Sequence, residues 1–471
     1  MEKWSLGKKM QKNLSPISFL AFLIVLYVSR NALPYAIYPL IALLFLFTLY
    51  QFISFKHAKK TFVKSIKIFY PLILLIIIEL AALCYTVDLF KGYPLDLFKN
   101  IAFISIFLFL LSSHVQNKSD FKLLLRSICQ YFILFSIIVS ILGLWKFFYS
   151  PHFLSYHNSV TGYTFFRWGS SIVSDYNFFS LFLLNGLIFG LYKILDSPEE
   201  IKHKMWFLVA LQLILLTGIL SGSRRFMFCL AVFFIICLLL LIPYLFKKVF
   251  SNSFSYKYLL VFLTFSLFNF GMTYSFLSYF PLITEKAEKV FCINAKKVNT
   301  NILSVSYRIN SVASFRLIKV HTDNKITDLI EYKEIVSITS SRENLWALGK
   351  RLYCEYTVPQ KTFGCGFTFL NIFKEKTERY LYPHHLFLSV LLFSGIAGLI
   401  LYIAVLLWAS IIYLFHLKDL KVLFFLFALN FIFGFFSFTD FFGATFYFLL
   451  LILPILYSYL YRSEKKLEVT T

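Results

Sequence analysis

The sequence predicts an all-α polytopic membrane protein with about twelve transmembrane helices and one large outer loop between the ninth and the tenth. Hydrophobic residues make up 59% of the 471 positions and charged residues only 15%, which is incompatible with a soluble surface. Apolar runs of about 18 to 25 residues recur along the chain, and each is long enough to cross roughly 30 Å of hydrocarbon as a helix. Basic segments alternate with these runs, as the positive-inside rule requires.

The predicted transmembrane helices divide the chain into three parts. Residues 1–275 hold helices 1 to 9, residues 276–383 form the outer loop, and residues 384–471 hold helices 10 to 12 and a cytoplasmic tail. Basic residues precede the first run, but no small-residue cleavage site follows Ser29, so we expect an uncleaved helix. The twelve runs lie near residues 15–29, 34–55, 68–86, 97–114, 124–149, 176–194, 205–220, 226–246, 257–275, 385–414, 420–437 and 442–460.

The formal net charge of +23 does not predict a nucleic-acid partner, because the cations alternate with the helices and do not cover one face. Membrane sidedness explains this distribution better. A cytoplasmic N-terminus places the basic segments 3–12, 56–67 and 118–122 inside. The short outer loops then carry few cations, and these run against the topogenic bias. They include Arg167, Arg224 and Arg225.

The outer loop has two unlike parts. Its first part, at residues 298–330, mixes β-branched and polar residues and predicts short strands or an irregular lobe. The later stretch "SSRENLWALGKRLY" (340–353) places Leu345, Leu348 and Leu352 at helical spacing, which predicts an amphipathic helix lying on the membrane. "KTFGCGFTFL" (361–370) predicts a turn. In an oxidising compartment one disulfide could form in this loop, and the sequence does not choose among Cys292, Cys354 and Cys365.

Two arginines begin the predicted eighth helix in "LTGILSGSRRFMF" (216–228). Positive charge is unfavourable at a helix N-terminus, and an anion would resolve the conflict. Free backbone N–H groups together with the guanidinium groups of Arg224 and Arg225 favour a phosphate site. The alternative is that both side chains extend to lipid headgroups. Arg342 begins the amphipathic helix and could join Arg224 around one diphosphate, whereas Trp346 is typical of an interfacial anchor.

His384 and His385 open the predicted tenth helix, in "LYPHHLFLSVLLFSGIAGLILYI" (381–403). Adjacent residues on a helix point about 100° apart, and no nearby Cys, Asp or Glu completes a metal-ligand spacing, so no metal is expected. The chain has no D-x-D motif, which argues against a divalent-metal sugar-nucleotide site. A neutral imidazole suits general-base work on an alcohol, while a passive interfacial histidine is the alternative.

The order of these motifs resembles the bacterial O-antigen ligase superfamily. That family has a Ser-Arg at a periplasmic helix start, an Arg-x-x-x-Trp segment leading to a Gly-x-Gly turn, and a His-Asn-x-x-Leu opening of a late helix. The upstream "FRWGSSIVSDYNFFSLFLLN" (166–185) is similar to the family's Arg...Asn-x-x-Ala region at Arg167 and Asn177. The resemblance covers roughly residues 160–403. This sequence departs from the family pattern at His385, where asparagine is usual, and at Ser180, where alanine is frequent.

The resemblance implies a metal-independent, inverting glycosyltransferase without a cofactor in the bacterial inner membrane, with an active site facing the periplasm. Such an enzyme moves a glycan from undecaprenyl diphosphate to a sugar hydroxyl, here most simply in O-antigen ligation to lipid A-core during lipopolysaccharide biosynthesis. It assigns the catalytic base to His384 and diphosphate binding to Arg224 and Arg342, with Arg167 and Arg225 as auxiliary groups. This assignment requires the histidine and the arginines to converge at the outer rim of a lipid-filled groove.

Three other functions compete with ligation, of which a non-catalytic membrane scaffold leaves the ordered arginines and histidine unexplained. An O-antigen or exopolysaccharide polymerase uses the same donor and differs only in its acceptor, so the sequence does not separate the two. A lipid-linked glycan transporter would place ionisable residues at the bilayer midplane and show a repeat between halves. Glu79, Lys146 and Asn185 are scattered, and the outer cations cluster at helix ends, which disfavours transport.

Overall fold

The computed structural model is helical throughout the part of the chain that it describes. It contains no strand within those ranges. They are residues 15–30, 32–33, 37–52, 55–86, 92–149, 169–173, 175–196, 201–246, 254–279, 342–377, 383–435 and 445–470. The first part of the outer loop, where strands were predicted, lies outside these residues.

The helices follow one another with short connections in most of the described chain. In order they are α1 (Pro16–Ser29), α2 (Ile37–Phe52), α3 (Phe55–Leu83), α4 (Gly92–His114), α5 (Lys118–Tyr149), α6 (Tyr176–Asp196), α7 (Ile201–Leu220), α8 (Arg224–Phe246), α9 (Phe254–Tyr279), α10 (Arg342–Glu355), α11 (Val358–Phe363), α12 (Thr368–Thr377), α13 (Leu386–Phe415), α14 (Leu417–Phe435) and α15 (Thr445–Thr470).

Several of these helices are long and apolar enough to cross a membrane, which supports the prediction of a multi-pass membrane protein. Each of the twelve predicted apolar runs coincides with a helix. Within the described residues, the helices that meet both criteria are Lys59–Leu83, Pro94–His114, Lys118–Tyr149, Tyr176–Ile194 and Leu386–Phe415. Four others are apolar but shorter, so the number of twelve crossings stays a prediction.

Helix ends differ most from the apolar runs where the flanking residues are basic. The third run was expected to begin at residue 68, but α3 begins at Phe55, because the helix continues through a lysine-rich stretch that lowers hydropathy without breaking backbone hydrogen bonds. The backbone of α3 leaves helical geometry at Phe69, two residues before Pro71. Proline lacks the N–H that the preceding turn would use, which accounts for the kink.

The chain divides into two compact units. One comprises Met1–Phe45 with Leu123–Ile318, and the other comprises Leu46–Lys122 with Lys319–Thr471. In the first unit, α6 packs on α7 and α9. In the second unit, α13 packs on α3, α14 and α15, and it also carries α10 and α11. The predicted arginine-bearing helix start belongs to the first unit and the predicted histidine-bearing start to the second.

Candidate functional site

The first candidate region is the arginine end, which we define as residues 169–173, 175–177 and 217–226. The turn between α7 and α8 explains its small residues. Ser221 Oγ donates to Gly218 O at 2.6 Å and closes α7, and Gly222 then takes a positive φ of 69°. The ring of Phe226 lies where a side chain at Gly218 would have to be. The "GILSGS" sequence thus lets α8 fold back tightly against α7.

Ser223 caps α8 and connects it to α6. Its Oγ accepts from the N–H of Phe226 at 3.2 Å, which satisfies one of the unpaired donors of the first turn. The same hydroxyl donates to Asn177 Oδ1 at 3.0 Å. Asp175 caps α6 in turn, since its Oδ1 accepts from the N–H of Asn177 at 2.8 Å. The starts of α6 and α8 are therefore held side by side by buried or half-buried polar groups.

A buried lysine belongs to the same end of this unit. Lys146, near the end of α5, is only 6% exposed, and its Nζ donates to Gly169 O at 2.6 Å. Ser170 follows in the turn and binds the end of α7 twice, through its N–H to Leu220 O at 3.0 Å and its Oγ to Thr217 O at 2.7 Å. Lys146 was expected to be an isolated charge, but its ammonium contacts the arginine end at Gly169.

These contacts concentrate positive potential at the arginine end. Two helix N-termini carry the positive ends of their macrodipoles, and Arg224 and Arg225 add two guanidinium groups at the start of α8. Arg224 is exposed and Arg225 is half-exposed. Asp175 supplies one carboxylate, which already accepts backbone hydrogen bonds. An anion at this end would be favoured by both the dipoles and the side chains.

The second candidate region is the histidine end, which we define as residues 342–367 and 383–395. The tenth apolar run was expected to begin near residue 385, and α13 begins one residue later, at Leu386, so that both histidines precede the helix. His385 is the N-cap residue, in extended geometry, and its Nδ1 accepts from the N–H of Leu388 at 3.3 Å. His384 precedes it with a φ of 53°, in the left-handed region, and is half-buried. Such a φ is uncommon for any residue other than glycine.

Aromatic rings surround the cap. Trp346 of α10 meets His385 edge to face, with ring centroids 5.3 Å apart and an interplanar angle of 87°. Phe435, at the end of α14, lies 4.7 Å from the same imidazole, and Phe387 lies 6.2 Å from it. Trp346 Nε1 is buried and has no hydrogen-bond acceptor among the described residues. Among the described residues, the indole of Trp346 therefore contacts the cap residue His385 through ring packing.

Helix α10 packs its apolar face on α13. Leu345 and Leu352 are buried, and Gly349 between them lies so close to Leu388 that a Cβ there would be 2.9 Å from Leu388 Cδ2. Lys350 and Arg351 are exposed. The amphipathic helix is confirmed, and its apolar face packs on the first turns of α13. Its position on the membrane surface stays a prediction.

The predicted glycine turn after α11 binds a break in α13. The backbone of α13 leaves helical geometry at Gly395, with φ 67° and ψ −167°, a combination open almost only to glycine. The break exposes Phe393 O, which accepts from Gly366 N–H at 3.0 Å. On the other side of the turn, Phe367 N–H donates to Thr86 Oγ1, at the end of α3, at 2.9 Å. The turn is thus fixed between two predicted transmembrane helices of this unit.

Cys365 sits at the centre of this turn as a free thiol. Tyr356 Oη and Cys365 Sγ are 2.7 Å apart, and burial raises the pKa of both groups. Cys354 is exposed and also free. Of the three cysteines considered for a disulfide, Cys354 and Cys365 are therefore not bonded to each other, and Cys292 lies outside the described residues.

The structure places the predicted site residues as follows. Arg224 and Arg225 begin α8, and His384 lies just before α13. Arg342 begins α10, but its side chain is not among those described, and Arg167 lies outside the described residues. The convergence of Arg224 with His384 stays a prediction, because they belong to different units.

Each unit nonetheless joins two of the sequence motifs. Asn177 meets Ser223 in the first unit, and Trp346 meets His385 in the second. The capping roles of Asp175 and His385 were not predicted from the sequence. An N-cap preference for aspartate just before an apolar run could have identified Asp175, whereas histidine is not among the favoured capping residues.

Comparison of the chain with protein-family models, with curated proteins and with solved structures gave no match.

Proposed function

We propose that this protein is a membrane glycosyltransferase that moves a glycan from undecaprenyl diphosphate to a sugar hydroxyl at the periplasmic face of the bacterial inner membrane, with lipid A-core as the acceptor. The observation that carries the proposal is the histidine end. An imidazole with left-handed backbone stands just before a long apolar helix, next to a capped and aromatically packed turn. Residues held in such uncommon conformations cluster at active sites.

The arginine end supports the second half of the chemistry. A diphosphate leaving group needs positive charge that is already in place when the bond breaks, because organising it during the reaction would raise the barrier. Two capped helix starts and Arg224 meet this need, and Arg225 adds a second guanidinium. Arg342 and Arg167 are assigned to the same diphosphate by the family resemblance.

The proposed reaction balances without any further reactant. The neutral imidazole of His384 takes the proton of the acceptor hydroxyl, and the oxygen attacks the anomeric carbon from the face opposite the diphosphate. A new glycosidic C–O bond forms, the C–O bond to the diphosphate breaks, and undecaprenyl diphosphate leaves with the electron pair. The configuration at the anomeric carbon inverts. General-base catalysis of this kind typically contributes about 10²- to 10⁴-fold to the rate.

The apolar helices suit a donor that is anchored in the membrane by its lipid tail. The isoprenoid tail of the donor must lie in lipid while its diphosphate stays at the water interface, so a polytopic membrane protein with cations at its outer helix ends suits this substrate. We further propose that all twelve predicted runs cross the inner membrane and that the loop 276–383 faces the periplasm.

The direct test is a transfer assay in membrane vesicles that contain the full-length protein, an undecaprenyl-diphosphate-linked glycan and lipid A-core. We expect His384→Ala to lower transfer by at least about 10²-fold while the protein remains inserted in the membrane. His416→Ala serves as a matched control, because His416 caps the other end of the same helix. Unchanged transfer by His384→Ala would remove the general-base assignment.

Deletion of the gene identifies the acceptor. A ligase predicts that full-length glycan accumulates on its lipid carrier and that none reaches lipid A-core. Single repeat units attached to lipid A-core would instead indicate a polymerase. Normal surface polysaccharide together with normal lipid-linked intermediates would contradict both activities.

A further inference from the structure

His385 stands where the family that this sequence resembles usually has asparagine. Its contacts show that histidine and asparagine can play the same part at a helix start. Both offer a side-chain acceptor to the first turn of a helix. Here Nδ1 of His385 accepts from the N–H of Leu388 at 3.3 Å, and the backbone carbonyl of His385 accepts from Ser389 at 2.9 Å. The residue therefore fixes the start of α13 through both its side chain and its main chain.

Packing fixes the imidazole itself. Trp346 approaches from α10 and Phe435 from α14, with centroids 5.3 Å and 4.7 Å from that of His385. Because Gly349 leaves no room between α10 and Leu388, the indole is carried by a helix that is itself in close contact with α13. The ring of His385 is thus held from two further helices of the same unit.

The strained backbone of His384 depends on this arrangement. A left-handed conformation is unfavourable for an L-residue, so it persists only where the neighbouring residues hold it. The neighbours are the buried Pro383, whose ring fixes its own φ, and His385, the N-cap residue of α13. Loss of the cap would let the residues before α13 relax toward commoner backbone angles and move the imidazole of His384.

We infer that His385 is a positioning residue for the transfer reaction: it holds the imidazole of His384 in its reactive orientation by capping α13 and packing against Trp346. This inference rests on the proposed function, because the orientation matters only if His384 reacts. His385 itself touches neither donor nor acceptor in this scheme.

The capping role requires a neutral ring. Protonation would replace the Nδ1 lone pair with an N–H, which cannot accept from Leu388, and would add positive charge at a helix N-terminus. Burial lowers the pKa of His385 below its ordinary value of 6.5, and Lys350 of α10 lowers it further, against an opposing backbone hydrogen bond. His384 adjoins the ring in sequence, and α14 presents the apolar Phe435 to it. The cap is consequently intact at neutral pH and lost in acid.

The experiment compares His385→Asn, His385→Ala and His385→Phe in the vesicle assay with full-length protein. We expect His385→Asn to retain kcat within about threefold, because asparagine is among the best capping residues. The other two should lower kcat about 10- to 100-fold with little change in KM, since a misplaced catalytic group loses rate and not binding. His385→Phe keeps an aromatic ring for Trp346 and so isolates the cap.

The pH profile adds a readout that a purely structural role would not move. In the native protein, loss of the neutral base and loss of the neutral cap should together steepen the acid limb of log(kcat/KM) to a slope of two. In His385→Asn the slope should stay at one. Equal slopes, or full activity of His385→Ala, would overturn the inference. Should His385→Ala fail to fold in a thermal-stability assay, His385→Asn and its slope still decide. Absence of transfer by the native protein would instead overturn the proposed function.

Discussion

The arginine end and the histidine end each bring a candidate catalytic or binding group to a helix start, but they stabilise it differently. At the arginine end a small hydroxyl, Ser223, caps α8 and is itself bound by Asn177 of another helix. At the histidine end the cap His385 is a large ring held by aromatic packing, and the backbone before it is strained. Polar hydrogen bonds thus define one end, whereas close packing and unusual backbone geometry define the other. The two should respond to different substitutions.

The largest effect is expected where the histidine end depends on glycine. Gly395→Ala places a Cβ against Thr362 O and Gly364 N in a backbone region closed to alanine. The strained backbone costs about 1–3 kcal/mol and the overpacking a similar amount, so the free energy of unfolding should fall by roughly 2–6 kcal/mol. Thermal denaturation in detergent measures this loss.

Gly271→Ala is the matched control, since nothing lies within 4 Å of a Cβ at that position of α9. It should be neutral or stabilising, because alanine is the better helix former by about 1 kcal/mol. Equal effects of the two substitutions would mean that the break in α13 does not depend on its glycine.

A smaller effect is expected at the arginine end. Ser223→Ala removes a helix cap worth about 1 kcal/mol and deprives Asn177 Oδ1 of its donor, which costs about 1–3 kcal/mol more. A double-mutant cycle with Asn177→Ala should reveal a coupling of at least about 0.5 kcal/mol. Ser410→Ala is the control, because Ser410 Oγ bonds only its own helix, at Leu406 O, 2.8 Å away. Additive effects of the two changes would contradict the described contact between α6 and α8.

The smallest effect is expected at Glu464, a partly exposed residue that caps the start of α5, whereas the cap residue Ser223 is buried. Glu464 accepts from the N–H of Lys118 at 2.8 Å and pairs with its ammonium at 3.1 Å, with both side chains about 30% exposed. We expect Glu464→Gln to lower the free energy of unfolding by less than about 1 kcal/mol. Asp96→Asn is the control, because the pair of Asp96 with Lys99 is longer, at 3.8 Å, and more exposed.

The loss of stability caused by Glu464→Gln should become smaller as the pH is lowered. The N–H of Lys118 is the main cause that lowers the pKa of Glu464 below its ordinary value of 4.5. A carboxylate with a lowered pKa stabilises the folded state above that ordinary value, and the stabilisation disappears as the pH falls through the lowered pKa. The difference in melting temperature between native protein and Glu464→Gln should therefore be largest at pH 7 and shrink as the pH is lowered toward 3. A difference that does not shrink in acid would contradict this assignment.

Much of the fold follows from hydropathy, because long apolar runs have few alternatives to a helix in lipid. The starts of α8 and α13 lie within two residues of the predicted runs. The amphipathic spacing of Leu345 and Leu352 likewise predicted α10 and its buried face. Its partner was not predictable, since a single apolar face suits either lipid or another helix.

The backbone geometry at the histidine end also could not be predicted from the sequence. Glycine is common in membrane helices, so Gly395 gave no sign that α13 breaks there. The left-handed φ of His384 depends on tertiary contacts of its neighbours, and histidine has no strong preference for it. The resemblance to the ligase family directed attention to His384, but the capping role of His385 became visible only in three dimensions.

The break at Gly395 divides α13 into two segments of unequal length. Residues 396 to 415 span about 30 Å at 1.5 Å per residue, which equals the thickness of the hydrocarbon core. If this segment alone crosses the membrane, the segment from 386 to 394, about 14 Å long, extends beyond the crossing. We then expect His384 to lie at the depth of the lipid headgroups or beyond, where the sugar acceptor of the proposed reaction would not have to leave water.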